Sequence, residues 1–263
     1  MRCVRQLQKG GNLKLKTLIE VNSGGAYTSY NVVGEIKGKE KPDEVVVVGA
    51  HLDSWELGTG ANDNGCNAVM MIDLARQMKK LNIQPKRTIR FVLWNGEEQG
   101  MYGSMGYTLN HENEMDKHVM AMAVDIGSGR ITGFFTGGRK EALAAAEKML
   151  EPISGLGPFV NPDVPIVGTD NFDFMMEGVV NLVANQESAN YGPNYHAESD
   201  TYDKVDFKSL KINSAIVAAA VLGFANADPV TWKRQSRADV EQLINSTDLG
   251  QQMKSFNMWN DWA

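Results

Sequence analysis

The sequence predicts an α/β protein, a three-layer α/β/α sandwich around a mixed, mostly parallel central sheet. Three observations carry this reading. Strand-length apolar runs alternate with helical stripes through the first half of the chain, the βαβ rhythm of a sheet covered on both faces. One of those runs, Val45–Val48, is four consecutive valines, the pattern of a strand buried on both sides. The chain also has 263 residues, 43% of them hydrophobic, enough to bury a sizeable core in one large domain.

The elements follow in order. Leu13–Val21 alternates apolar and polar residues and is expected to be a half-exposed strand. Tyr30–Ile36 reads as a second strand, and Glu40–Asp43 as a charged turn leading into the strand at Glu44–Val48. From Gly65 to Leu81, Met71, Leu74, Ala75, Met78 and Leu81 share one helical stripe. Thr88–Trp94 and His118–Val124 read as two further buried strands, and alanine-rich Lys140–Leu150 as a helix. A long apolar helix is expected over Phe207–Ala227, ended by Asp228-Pro229. Residues 1–235 form one domain in this reading. Residues 236–263 form a helical tail that starts at Ser236 and docks Met253, Phe256, Met258, Trp259 and Trp262 on the body; the alternative is a self-association surface, hence a homodimer.

Charge and composition exclude several classes. A net charge of -6 offers nothing to a phosphate backbone, so no nucleic-acid partner is expected. The longest apolar stretch, Ala215–Ala225, is shorter than the roughly 20 residues of a membrane span, so none is expected. Two cysteines, Cys3 and Cys66, make no disulfide framework. Met1–Gln6 contains no apolar run of signal-peptide length.

The chemistry gathers where strands end, the edge at which α/β sheets bind ligands. The valine strand runs into His51-Leu52-Asp53-Ser54, and the same loop reaches Asp63 before a helix. Thr88–Trp94 runs into Asn95-Gly96-Glu97-Glu98, and His118–Val124 ends at Asp125. Farther on, Asn194-Tyr195-His196-Ala197-Glu198-Ser199-Asp200-Thr201 brings a second histidine. Each fragment alone reads as loop polarity or a helix cap. Together they place five carboxylates and a histidine after three strands, a crowd that repels itself unless cations occupy it. Mixed imidazole and carboxylate donors suit Zn²⁺, then Mn²⁺ or Co²⁺, ahead of Ca²⁺ or Mg²⁺.

In these motifs the sequence resembles the M28 zinc peptidases, which include bacterial aminopeptidases and the carboxypeptidase Q group. The likeness rests on His51–Ser54, Asp63 twelve residues after that histidine, Asn95–Gly100, Asp125 and Asn194–Thr201. Pro85–Gly100 is especially similar to the carboxypeptidase Q group. It implies the zinc-exopeptidase, phosphorylase/hydrolase-like fold and a two-zinc site acting on a peptide substrate. Asp63 would bridge the ions, His51 and Asp125 completing one and Glu98 and His196 the other. Glu97 would be the general base on a metal-bridging water, and Tyr195 would stabilise the oxyanion. Asp53 would orient His51 through its far ring nitrogen, and Asp200 would do the same for His196. The peptide after Asp63 is expected to be cis. Gly168–Phe174 would line the substrate side, with Phe172 or Phe174 either a pocket wall or plain core. His111 and His118 read as surface and strand residues, and Cys66 as a small buried side chain. Members close to the carboxypeptidase Q group carry a longer N-terminal part, so residues 1–235 are expected to be either a catalytic-domain fragment of a secreted or periplasmic parent or a naturally minimal form. Two alternatives share the fold: a single-zinc glutaminyl cyclase, which needs only Asp63, Glu98 and His196, and a non-catalytic receptor-like binding domain.

Overall fold

A computed structural model describes residues 2–12, 14, 16–22 and 24–259. After a short helix, α1 (Arg2–Gln8), the chain enters a six-stranded sheet. The strands are β1 (Val32–Ile36), β2 (Lys41–His51), β3 (Arg87–Trp94), β4 (His118–Ala123), β5 (Ile131–Phe135) and β6 (Asn181–Gln186), ordered β1-β3-β2-β4-β6-β5. The pairs β2–β3, β2–β4 and β4–β6 are parallel, while β1 and β5 close the edges antiparallel. The sheet is therefore mixed and mostly parallel.

Alternation along β2 shows why the valine run sits in the interior. Val46 and Val48 face one apolar cluster, with Met71, Leu74 and Met78 of α2 (Cys66–Lys80). Val45 and Val47 face the other, with Trp94, Tyr107 of α3 (Tyr102–Asn110) and Phe174 of α5 (Asn171–Met176). The first face is completed by α4 (Lys140–Leu150) and α7 (Phe207–Asn226), the latter separated from α5 by the single-turn α6 (Tyr191–Asn194). Gly49 is needed where β2 passes Trp94: a Cβ there would lie 2.3 Å from the indole Nε1.

The 20-residue α7 is long and apolar enough, by length and composition, to cross a membrane. Here Ile216, Val217, Ala220, Val221 and Phe224 are buried in the sandwich core, and Asp206 caps the helix by accepting from the Lys208 and Ser209 amides.

Three sequence expectations differ from the structure, the first being that residues 41–43, expected in a charged turn, already belong to β2. The described residues of Leu13–Val21 form no strand and are exposed; Leu13 and Leu15 lie outside the described residues. Alternation alone does not make a strand: the partner of β3 on this side of the sheet is β1, and the described residues of the earlier segment pair with neither. Leu81 leaves the α2 stripe and is exposed, since the helix ends one residue earlier.

Ser236 opens α8 (Arg237–Ser246) with a capping box to Asp239. With α9 (Leu249–Ser255), this helix buries Val240, Leu243, Ile244, Leu249 and Met253 against Val167, Phe172 and Met175. Met258 and Trp259 pack at the margin of that cluster, Phe256 stays half exposed, and Trp262 lies outside the described residues.

Candidate metal centre

Parallel neighbours β3, β2 and β4 deliver their carboxyl ends to one edge, and the acidic loops arrive there together. His51, the last residue of β2, is buried. Its Nε2 lies 2.8 Å from Asp125 Oδ1 and 3.2 Å from Asp63 Oδ1. On the other side, His196 Nε2 lies 2.9 Å from Glu98 Oε2 and 3.3 Å from Asp63 Oδ2. Asp63 thus turns one carboxylate oxygen toward each histidine. The donors form two sets, His51–Asp63–Asp125 and Asp63–Glu98–His196, each with its ligand atoms within 4.8 Å of one another.

The residues fit divalent ions. Glu98 Oε1 is buried and accepts no hydrogen bond, and Asp63 Oδ2 and Asp125 Oδ1 are buried against the histidine nitrogens, an arrangement that costs free energy unless a cation takes the lone pairs. The same crowding shows in the acidities. Burial, with Asp125 next, pushes the Glu97 carboxyl up to about 10, and burial with Asp63 lifts Glu98 to about 7. Burial disfavours a charged His51, yet attraction to Asp125 and hydrogen bonds to Asp125 and Asp63 win, raising its pKa well above the usual imidazole value. The cluster gathers positive charge as protons where ions would otherwise supply it.

The supporting contacts differ from those expected. His51 Nδ1 pairs with the backbone carbonyl of Asp53 at 2.9 Å, while the Asp53 carboxylate stands 3.7 Å off. That carboxylate instead accepts from the amides of Glu97 and Glu98, each at 3.2 Å, and so holds the turn carrying both glutamates. Asp200 does not orient His196. Its oxygens accept from the amides of Asn62 and Asp63, at 2.8 and 3.0 Å, pinning the loop that presents Asp63. Spacing cannot reveal either arrangement, because a carboxylate two residues from a histidine can turn to any donor the fold brings near. The Asp63–Asn64 peptide is cis.

Glu97 Oε2 is 4.0 Å from His51 Nε2 and belongs to neither donor set. Tyr195 stacks on His196, ring centroids 3.7 Å apart, and Trp55 approaches that imidazole at 5.8 Å. Burial, then Asp63, pushes the Tyr195 phenol up to about 12. Asp63, Glu97, Glu98, Asp125 and His196 line one cavity of about 350 Å³.

Phe172 and Phe174 are not walls of this cavity. Phe174 packs with Trp94 and Tyr107, and Phe172 belongs to the cluster under the tail. Gly168 and Thr169 of the same stretch do line it. Cys66 is buried 3.4 Å from the Asn62 carbonyl, outside both donor sets. His111 stacks on Tyr107 away from the centre, and His118 at the start of β4 meets the Tyr107 hydroxyl at 2.8 Å. Sequence reasoning passed over Tyr191, a mostly buried cavity residue whose ring packs on Gly127, and over Phe256 and Met258 as cavity walls.

A mostly parallel sheet with paired imidazole–carboxylate sets at its carboxyl edge defines an α/β protein whose residues could hold metal ions there. The chain belongs to peptidase family M28, whose profile matches residues 31–221. It is 34% identical over 203 residues to carboxypeptidase Q of Mus musculus, covering 76% of this chain and 42% of that protein. A structure described as a peptidase M28 precursor from Shewanella amazonensis superposes with a TM-score of 0.71 at 33% identity, over 80% of this chain and 47% of that one. A zinc aminopeptidase from Bacillus subtilis shares the fold, with a TM-score of 0.63 at 23% identity over 76% of this chain and 51% of its own. The chain spans less than half the length of the mouse and Shewanella proteins.

Proposed function

We propose that this chain is the catalytic part of a dinuclear zinc exopeptidase that hydrolyses peptide bonds near a terminus of short peptides or dipeptides. The observation that carries the reading is Asp63, with one oxygen toward each histidine and one donor set on either side. His51, Asp63 and Asp125 would hold one ion, and Asp63, Glu98 and His196 the other. Bound zinc would supply Lewis acidity to the scissile carbonyl and lower the pKa of water.

The protein's own groups do the remaining work. Glu97, free of both donor sets, takes the proton from the attacking water and returns it to the departing nitrogen. Asp53 fixes that carboxylate by clamping the amides of residues 97 and 98. The Tyr195 hydroxyl donates to the carbonyl oxygen as negative charge develops there. A cavity of about 350 Å³ admits a short segment of substrate, in keeping with action at a chain end. The single-zinc cyclase reading leaves the buried His51–Asp125 pair without a purpose, and a non-catalytic module has no use for Glu97. A secreted or periplasmic parent accords with the Shewanella relative being described as a precursor.

The test is metal content by mass spectrometry together with turnover of dipeptides bearing free or blocked termini, with zinc and with chelator. Two zinc ions per chain and chelator-sensitive hydrolysis are expected. A metal-free protein, or turnover that survives complete chelation, overturns the proposal.

A further inference from the structure

Resting on that peptidase reading, we infer that the carboxy-terminal segment builds the side-chain subsite of the catalytic cavity, with Phe256 and Met258 selecting an apolar residue next to the scissile bond. Both residues lie beyond the span matched by the family profile, which ends at 221, yet both line the cavity that also presents Glu97, Asp63, Asp125, Glu98 and His196. Their placement is built. Leu249 and Met253 of α9 are fully buried, anchoring the helix from below. From the same helix, the Gln252 amide grips the neighbouring backbone twice, accepting from the Val167 amide at 3.1 Å and donating to the Pro165 carbonyl at 3.3 Å. The chain then brings the Phe256 ring over Gly168. With φ of +105° there, and a notional Cβ only 3.1 Å from Phe256 Cζ, glycine is the residue that lets ring and cavity wall meet.

The chemistry of the wall names the ligand class. The same cavity is lined by Met101, Ile166 and Val183, and among the described residues no lysine or arginine lines it. Among the described residues its acidic groups are the metal-binding carboxylates and Glu97, so with ions bound a charged substrate side chain finds no partner among them. Met258 also borders a second cavity of about 280 Å³, shared with Met101 and lined by Met105, Met176 and Met253. Unbranched thioethers backed by such space adapt to apolar side chains of different shape.

Two dipeptide series test this, Xaa-Ala and Ala-Xaa, with Xaa as Gly, Leu, Phe, Lys or Glu, on the zinc-loaded full chain and its Phe256→Ala and Met258→Ala variants. In one series the wild type is expected to prefer Leu and Phe over Gly, Lys and Glu. The Leu:Gly ratio of kcat/KM should fall about tenfold in the variants, the scale of losing one buried apolar contact, and Phe256→Leu should restore it. No apolar preference in either series, or a ratio within twofold of wild type in both variants, overturns the inference. Calorimetric titration with L-leucine and glycine reads the same selectivity without turnover. A protein that cleaves no dipeptide but loses leucine affinity in the variants refutes the peptidase reading and keeps the wall. Active enzyme with unmoved ratios and leucine affinity does the reverse. Thermal melts identify a variant that has not folded, and the other substitution then decides the outcome.

Discussion

Replacing Asp53 with asparagine separates two ways in which this residue could serve the site. In the structure its carboxylate accepts one hydrogen bond from the Glu97 amide and one from the Glu98 amide, while only its carbonyl meets His51. An asparagine can accept from one amide, but its NH₂ then faces the other N–H donor to donor. A hydrogen bond to a charged group contributes about 1.5–3 kcal/mol, and the 3.2 Å separations put each of these at the lower end. Asp53→Asn should therefore cost about 2 kcal/mol in urea unfolding. Because the loosened turn carries Glu97, kcat on a cleaved dipeptide should fall roughly 10- to 100-fold, the scale on which small displacements near the chemistry act. His51 keeps its carbonyl partner, so zinc content should stay at the wild-type level. Were the variant to lose zinc while its metal-reloaded kcat equalled wild type, the carboxylate would be acting through the imidazole, and the turn-clamping account would be refuted.

Glu97→Gln should retain both metals and lose about 10²–10⁴ in kcat, measured by steady-state kinetics beside metal analysis; wild-type kcat would remove Glu97 as the base. Asp63→Ala deletes the donor common to both sets and should bind less than one zinc per chain by mass spectrometry. Chelation should lower the Tm in calorimetry and re-addition of zinc should restore it, because ions that bind only the folded site stabilise it and relieve its crowded buried carboxylates. Burial holds the His118 imidazole down at about 4, below its unfolded value near 6.5. The unfolded chain therefore binds the extra proton: this contribution is complete above pH 6.5 and is lost as pH falls toward 4, about 3 kcal/mol in all. Urea titrations of wild type and His118→Gln should converge by that amount between pH 7 and pH 4, and parallel curves would exclude it. Gly49→Ala forces a methyl onto Trp94 and should destabilise by about 1–3 kcal/mol in the same assay.

Much was legible in the order of residues because the signals are local. The four valines at 45–48 announce a strand buried on two faces, and the stripe Met71–Leu74–Met78 announces a helix, since side-chain periodicity is a property of consecutive residues. The strand ends then name His51, Glu97, Glu98 and Asp125 as neighbours, because parallel strands in one sheet deliver their carboxyl termini to one edge. The exposed segment through Leu18 and Val21 shows the limit of such reasoning: alternation describes a strand only where a neighbouring strand pairs with it.

What tertiary structure alone decided were partners and walls. Nothing in the chain order tells that Asp53 turns from His51 to the amides 44 and 45 residues away, or that Asp200 reaches back to hold Asp63. Nor does it tell that residues 256 and 258 close a cavity begun at 63. A carboxylate pairs with whichever donor folding sets within about 3 Å, and an apolar side chain covers whichever surface the backbone brings beneath it. Both depend on distances across the fold, which one-dimensional spacing does not contain.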